Sequence, residues 1–122
     1  MNMQATKTQK RCYEELVNSI KVLKKYKSFE EFFEKSIREQ NYLTTAFDCN
    51  LFYNSVEKYK SRDLEGWQRM EKLFKKATEE NIIKVFAKTE TIEALERLGM
   101  IEIIERANIK GGRELVKVNM DV

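Results

Sequence analysis

At 122 residues, 42% hydrophobic, 35% charged and with a net charge of +3, the chain has the composition of one globular domain with a charged surface. It has no histidine and only two cysteines, far apart, which removes the commonest general base and excludes a structural zinc site. No apolar run is long enough to span a bilayer or to follow a basic start as a signal peptide would, so a cytoplasmic protein that does not engage membranes is expected.

The chain also lacks proline, where average usage gives about six; such a sequence is built to propagate helices. Helix 1 is expected over residues 6–25. Cys12, Tyr13, Leu16, Val17, Ile20 and Leu23 recur on one side at about 100° per residue, with Lys7, Lys10, Arg11, Lys21 and Lys25 opposite. Residues 1–27 carry seven Lys/Arg against two Glu, residues 28–60 four against six, and the remainder is neutral. The basic back of helix 1 reads as a solvated face or as phosphate contacts. Its apolar row is long enough to seek a partner helix, so a homodimer through helix 1 is a further expectation.

Ser28 followed by Glu31 forms a capping box before an apolar run. It starts helix 2, expected to reach about residue 40 and to bury Phe29, Phe32, Phe33 and Ile37. Thr44 or Thr45 starts helix 3, with Asp48 in its first turn and Phe47, Leu51, Phe52, Val56 and Tyr59 as its apolar set. Cys12 and Cys49 fall at half-apolar helical positions and read as small buried hydrophobes rather than a disulfide. Asp63 caps helix 4, with Trp67, Met70, Leu73, Phe74 and Ala77 on one face and Arg69, Lys72 and Lys76 on another. Trp67 is expected in the core against Leu73 or Phe74 and the hairpin. The cluster 78–81 interrupts the pattern.

Residues 81–88 admit two readings. The β-branched and aromatic run Ile82, Ile83, Val85 and Phe86 suits a buried strand. Ile82, Phe86, Thr89 and Ile92 also share a helical face, and the balance leans to one helix over residues 79–98, kinked near Lys88. Gly99 then supplies a left-handed cap. Met100, Ile101, Ile103 and Ile104 form a strand, expected to be covered on both sides, and Leu115, Val116 and Val118 form its partner. Gly111 and Gly112 permit the positive φ of a tight hairpin between them. The expected fold is one domain over residues 1–122, mainly α, with four or five helices over residues 6–98 and a C-terminal β-hairpin over residues 100–118.

A helix running through Leu95, Glu96, Arg97 and Leu98 into Gly99, then a hairpin with Arg106, Lys110 and Arg113 near its tip, resembles the recognition helix and wing of winged-helix DNA-binding domains. The resemblance covers about the last 40 residues. It implies a helix in the major groove and a wing on the backbone or minor groove of duplex DNA. Under it, Arg69, Lys72, Lys76, Lys110 and Arg113 become phosphate contacts, and Lys84, Lys88 and Thr91 become the candidates for base reading. The sequence departs from the family in Glu90, Glu93 and Glu96, which would repel phosphates from a groove-facing helix.

Other chemistry has little to rest on. The aromatics recur at helical spacing, which makes them core rather than base-stacking platforms. Carboxylate pairs such as Glu30/Glu34 and Glu79/Glu80 sit among lysines, no Ser or Cys has a His partner, and Gly111-Gly112 lacks the Lys-Ser/Thr of a phosphate loop. The expectation is no enzyme, no cofactor and no metal, but a small winged-helix DNA-binding regulator. The Lys/Glu/Asn/Ile-rich composition resembles that of phages and mobile elements of low-GC bacteria. The alternative is a small inhibitor or adaptor that docks on a host protein and has no DNA role.

Overall fold

The computed structural model describes residues 4–39, 55–107 and 114–121. In chain order these form α1 (Lys7–Leu23), α2 (Phe29–Glu39), α3 (Val56–Arg62), α4 (Leu64–Glu80), β1 (Ile82–Val85), α5 (Thr89–Arg97), β2 (Ile101–Glu105) and β3 (Glu114–Val118). The fold is therefore mainly α with β structure at the C-terminal end, as the sequence predicts. The expectations for Thr44, Thr45, Phe47, Asp48, Cys49, Leu51, Phe52, Lys110, Gly111, Gly112 and Arg113 fall outside the described residues, as does the side chain of Ile37.

Helices α1 to α4 each start where a side chain can meet the first free amides. Thr6 caps α1 in a capping box with Gln9. Ser28 Oγ accepts from the Glu31 amide at 3.2 Å, while the Glu31 carboxylate accepts from the Lys27 amide, one residue before the cap. That amide, with Lys35 one turn on, holds the Glu31 carboxyl below its ordinary range. Asp63 caps α4 through the Gly66 amide at 3.0 Å. The helix does not break at residue 78. It continues to Glu80, with the Thr78 hydroxyl turned back onto the Phe74 carbonyl.

An aromatic cluster forms where α2, α3 and α4 meet. Trp67 is fully buried in the core, as expected, and its aromatic neighbours are rings of α2 and α3. Its centroid lies 4.8 Å from Phe29, 5.3 Å from Phe33 and 5.7 Å from Tyr59. Phe33 meets both Trp67 and Tyr59 edge to face, at 78° and 87°, the geometry the ring quadrupoles favour. Lys60 sits 5.5 Å from the Trp67 centroid and pairs with Glu30 of α2. The hydrogen bond that Lys60 donates to the Glu30 carboxylate raises the Lys60 pKa. The apolar row of α1 (Tyr13, Leu16, Ile20 and Leu23) joins this core. A dimer through that row would compete with the chain's own packing.

The single expected helix over residues 79–98 is instead a strand and a helix. Asn81 ends α4 in the left-handed region, at φ 60°, and Ile82, Ile83 and Val85 are buried in β1. Three β-branched residues in four outweigh the helical spacing once a sheet neighbour is available. The sheet has three strands rather than two, in the order β1-β3-β2, with both pairings antiparallel. Val116 is central, opposite Ile83 on one side and Ile103 on the other. A bulge lies between Ile103 and Glu105. Ile104 sits there 45% exposed and Ile103 is half-buried, so β2 is not covered on both faces.

α5 closes in a Schellman motif. The Met100 amide donates to the Leu95 carbonyl and the Gly99 amide to the Glu96 carbonyl, both at 3.0 Å. Gly99 has φ 74° and open space where a Cβ would stand, whereas a Cβ on Gly66 would lie 2.2 Å from the Asp63 carboxylate. The two glycines should therefore respond oppositely to intuition. Gly99→Ala, though sterically free, should cost about 1–2 kcal/mol through left-handed strain. Gly66→Ala should show none of the usual gain of about 1 kcal/mol for alanine inside a helix, because the Asp63 cap must move. Urea midpoints of the two variants decide both, and a stabilised Gly66→Ala would contradict the capping geometry. Trp67 in this box should emit at short wavelength and resist iodide quenching in the native state. Ready quenching would place the indole at the surface.

Candidate nucleic-acid interface

The candidate residues fall into two described groups. Arg69, Lys72 and Lys76 are exposed on the side of α4 opposite its buried row of Trp67, Met70, Phe74 and Ala77. Their spacing of three and four residues makes one cationic strip. Lys84, Lys88 and Thr91 belong instead to the segment that leaves β1 and enters α5. Lys84 is half-buried, Lys88 exposed and Thr91 half-buried in the first turn of the helix.

This second group lies at a defined end of the sheet. Val85 is the last residue of β1 and pairs with Glu114, the first of β3. The β1–α5 link therefore sits at the end where the chain leaves β2 and re-enters β3. Side chains alternate across a strand, so Ile83 and Val85 face the core while Lys84 and Phe86 face away from it. Phe86 is 79% exposed and is the most exposed large apolar residue among those described. Lys88 occupies the N-cap of α5 and makes no side-chain cap bond; an ammonium is a donor and cannot serve the helix amides.

The three glutamates of α5 do not act as one acidic face. Glu96 accepts a hydrogen bond from the Ile103 amide at 2.8 Å. Glu93 pairs with Arg106 at 3.1 Å. Two of the three carboxylates are thus turned toward β2 and its continuation, where they fasten the helix to the hairpin. Glu90 remains exposed in the first turn, where the helix macrodipole favours a negative charge. The same pairing offsets the Arg106 cation.

At the other end of the sheet, Asn119 binds three elements together. Its amide donates to the Met100 carbonyl at 2.9 Å and its side chain to the Gly99 carbonyl at 3.1 Å. Its own carbonyl accepts from the Tyr13 hydroxyl of α1. An open depression lined by Lys24, Asn81, Lys117 and Asp121 lies beside it. Among the described residues, no three His, Cys, Asp or Glu side chains converge to hold a metal ion, and no helix is long and apolar enough to cross a membrane. Cys12 is a free, half-buried thiol whose pKa is raised by burial and by Glu15.

Sequence reasoning placed Lys84, Lys88 and Thr91 together but missed Phe86 as a surface residue. The available signal was strand alternation, in which an aromatic two residues beyond Lys84 shares its outward face. It also read Glu93 and Glu96 as an electrostatic handicap, because a long-range hydrogen bond to β2 leaves no trace in helical spacing.

If Glu96 seals the Ile103 amide, that amide should exchange slowly in the native protein. Glu96→Gln keeps an acceptor and should retain the protection, whereas Glu96→Ala should lose it and cost about 0.5–1.5 kcal/mol. Equal exchange rates at Ile103 in all three proteins would show that the side chain does not guard it.

Comparison of the chain with family models, with curated proteins and with solved structures gives no match.

Proposed function

We propose that this chain is a small, non-catalytic DNA-binding module of winged-helix type. The observation that carries the reading is the sheet order β1-β3-β2, with α5 delivered into the β2–β3 hairpin through the Gly99 turn. This is the arrangement that sets a helix beside a wing. Besides the glutamates of α5, it departs from the family in a second respect: a single helix, α5, stands between β1 and β2 where the family has a helix-turn-helix pair. Base reading then falls to the start of α5, with Lys88 and Thr91, supported by Lys84. Phosphate contacts fall to Lys110 and Arg113, which lie between β2 and β3 in the sequence, and to Arg69, Lys72 and Lys76 of α4. Arg106 offsets the charge of Glu93, while Glu96 keeps its charge but is turned toward the Ile103 amide. A role as a small regulator of a phage or mobile element, acting in the cytoplasm, fits this size and composition.

A protein-docking inhibitor or adaptor is the second reading. The exposed Glu90 at the head of α5 favours it, since an acidic helix end suits a basic protein surface.

Anisotropy of a labelled random-sequence duplex separates the two. A DNA binder should bind with an affinity that falls steeply between about 50 and about 200 mM salt. Lys72→Ala, Lys76→Ala, Lys110→Ala and Arg113→Ala should each weaken binding on all sequences alike and lower the salt slope by about one. A folded protein that ignores duplex DNA at low salt would end the first reading and leave the second.

A further inference from the structure

We propose that Phe86 is a wedge that enters the DNA duplex and stacks on a base at one step, a role that rests on the DNA-binding reading above. Phe86 is 79% exposed, whereas every other phenylalanine whose side chain is described is buried. Its position is not that of a loose loop. On one side Val85 is 4% exposed and held in register by Glu114 of β3. On the other, the Lys88 carbonyl accepts from the Ile92 amide at 3.1 Å, which makes Lys88 part of the first turn of α5. The two residues between Val85 and Lys88 are therefore pinned at both ends. A ring presented from so short and anchored a link loses little freedom on binding.

The flanking charges select the partner. Lys84 and Lys88 stand two residues to either side of Phe86. An apolar ring between cations suits a surface of stacked aromatic bases edged by phosphates better than it suits a purely apolar protein groove. Proteins that bend DNA insert such apolar side chains between base pairs, spending unstacking energy to bring more phosphates within reach. Base–aromatic stacking tolerates any sequence, because every base has a π face. Phe86 would thus add affinity and local distortion without adding base specificity, while Lys84 and Lys88 contribute the salt-dependent part.

The test uses the full chain and duplexes carrying 2-aminopurine at successive positions, read together with anisotropy of the same complexes. Binding of the native protein should raise 2-aminopurine emission at one step, as that base leaves its stack. Phe86→Ala should abolish the rise and weaken binding on the order of tenfold, with an unchanged salt slope. Phe86→Tyr should keep both properties. Lys88→Ala should do the reverse of Phe86→Ala, lowering the salt slope while leaving the emission change at saturation. Because Phe86 lies outside the core, circular dichroism and the thermal midpoint should match the native protein in each Phe86 variant. If the native protein binds duplex DNA and Phe86→Ala binds equally well, the wedge is overturned while the DNA reading stands. If the native protein binds no duplex at low salt, both fall. A preference for single strands would overturn the wedge as stated.

Discussion

Two helices in this chain end in the left-handed region of the backbone, and both endings hand the chain directly to a strand. Asn81 closes α4 and opens β1, while Gly99 closes α5 and opens β2. They are the two positive-φ residues among those described. The remaining tertiary structure is tied to this pair. The Asn81 carbonyl accepts from the Val118 amide, and the Gly99 and Met100 carbonyls both accept from Asn119. The central strand is therefore held at its C-terminal end by the two helix terminations that flank it. Tyr13 adds α1 to the same junction. Because a left-handed residue reverses the chain within one step, β1 runs back along α4, and α5 lies against β2 with its first turn at the hairpin end.

The aromatic box at the α2–α3–α4 junction plays a different part. Phe29, Phe33, Tyr59 and Trp67 hold the helices to one another, and all four are buried. The protein thus separates the packing that holds its helices from the surface available to a partner. Phe86 and Lys88 are exposed and can be substituted without opening the core, which is what allows binding and stability to be measured independently there.

Much of this fold was legible in the sequence, and the failures have physical causes. Helix starts at Ser28 and Asp63, and the stop at Gly99, follow from short-range capping chemistry, so local residues sufficed to find them. The segment around Ile83 was not decidable locally, because its strand exists through a register with residues some thirty positions later. Asn81 carried a usable hint, since asparagine is the residue after glycine most tolerant of the left-handed region. The helix 4 face was read correctly, yet the ring partners Phe29, Phe33 and Tyr59 of Trp67 were not foreseen, because periodicity reports which side is buried and not what it is buried against. For the candidate interface, charge and spacing singled out Lys84, Lys88 and Thr91, but the disposition of Glu93 and Glu96 depends on β2, which spacing within α5 cannot reveal.

The hydrogen bond from the Ile103 amide to Glu96 has a consequence for how this protein can meet others. β2 is an outer strand of the sheet, and an outer strand with free amides invites another chain to pair with it. Here a side chain of α5 already occupies an outward amide of β2, and the bulge at Ile104 breaks the regular repeat an incoming strand would need. The opposite edge, β1, packs against α4 and α1. The β2 margin is thus poorly suited to growth by strand addition. A partner approaching from that side meets side chains of α5 and β2 before it meets a free backbone ladder.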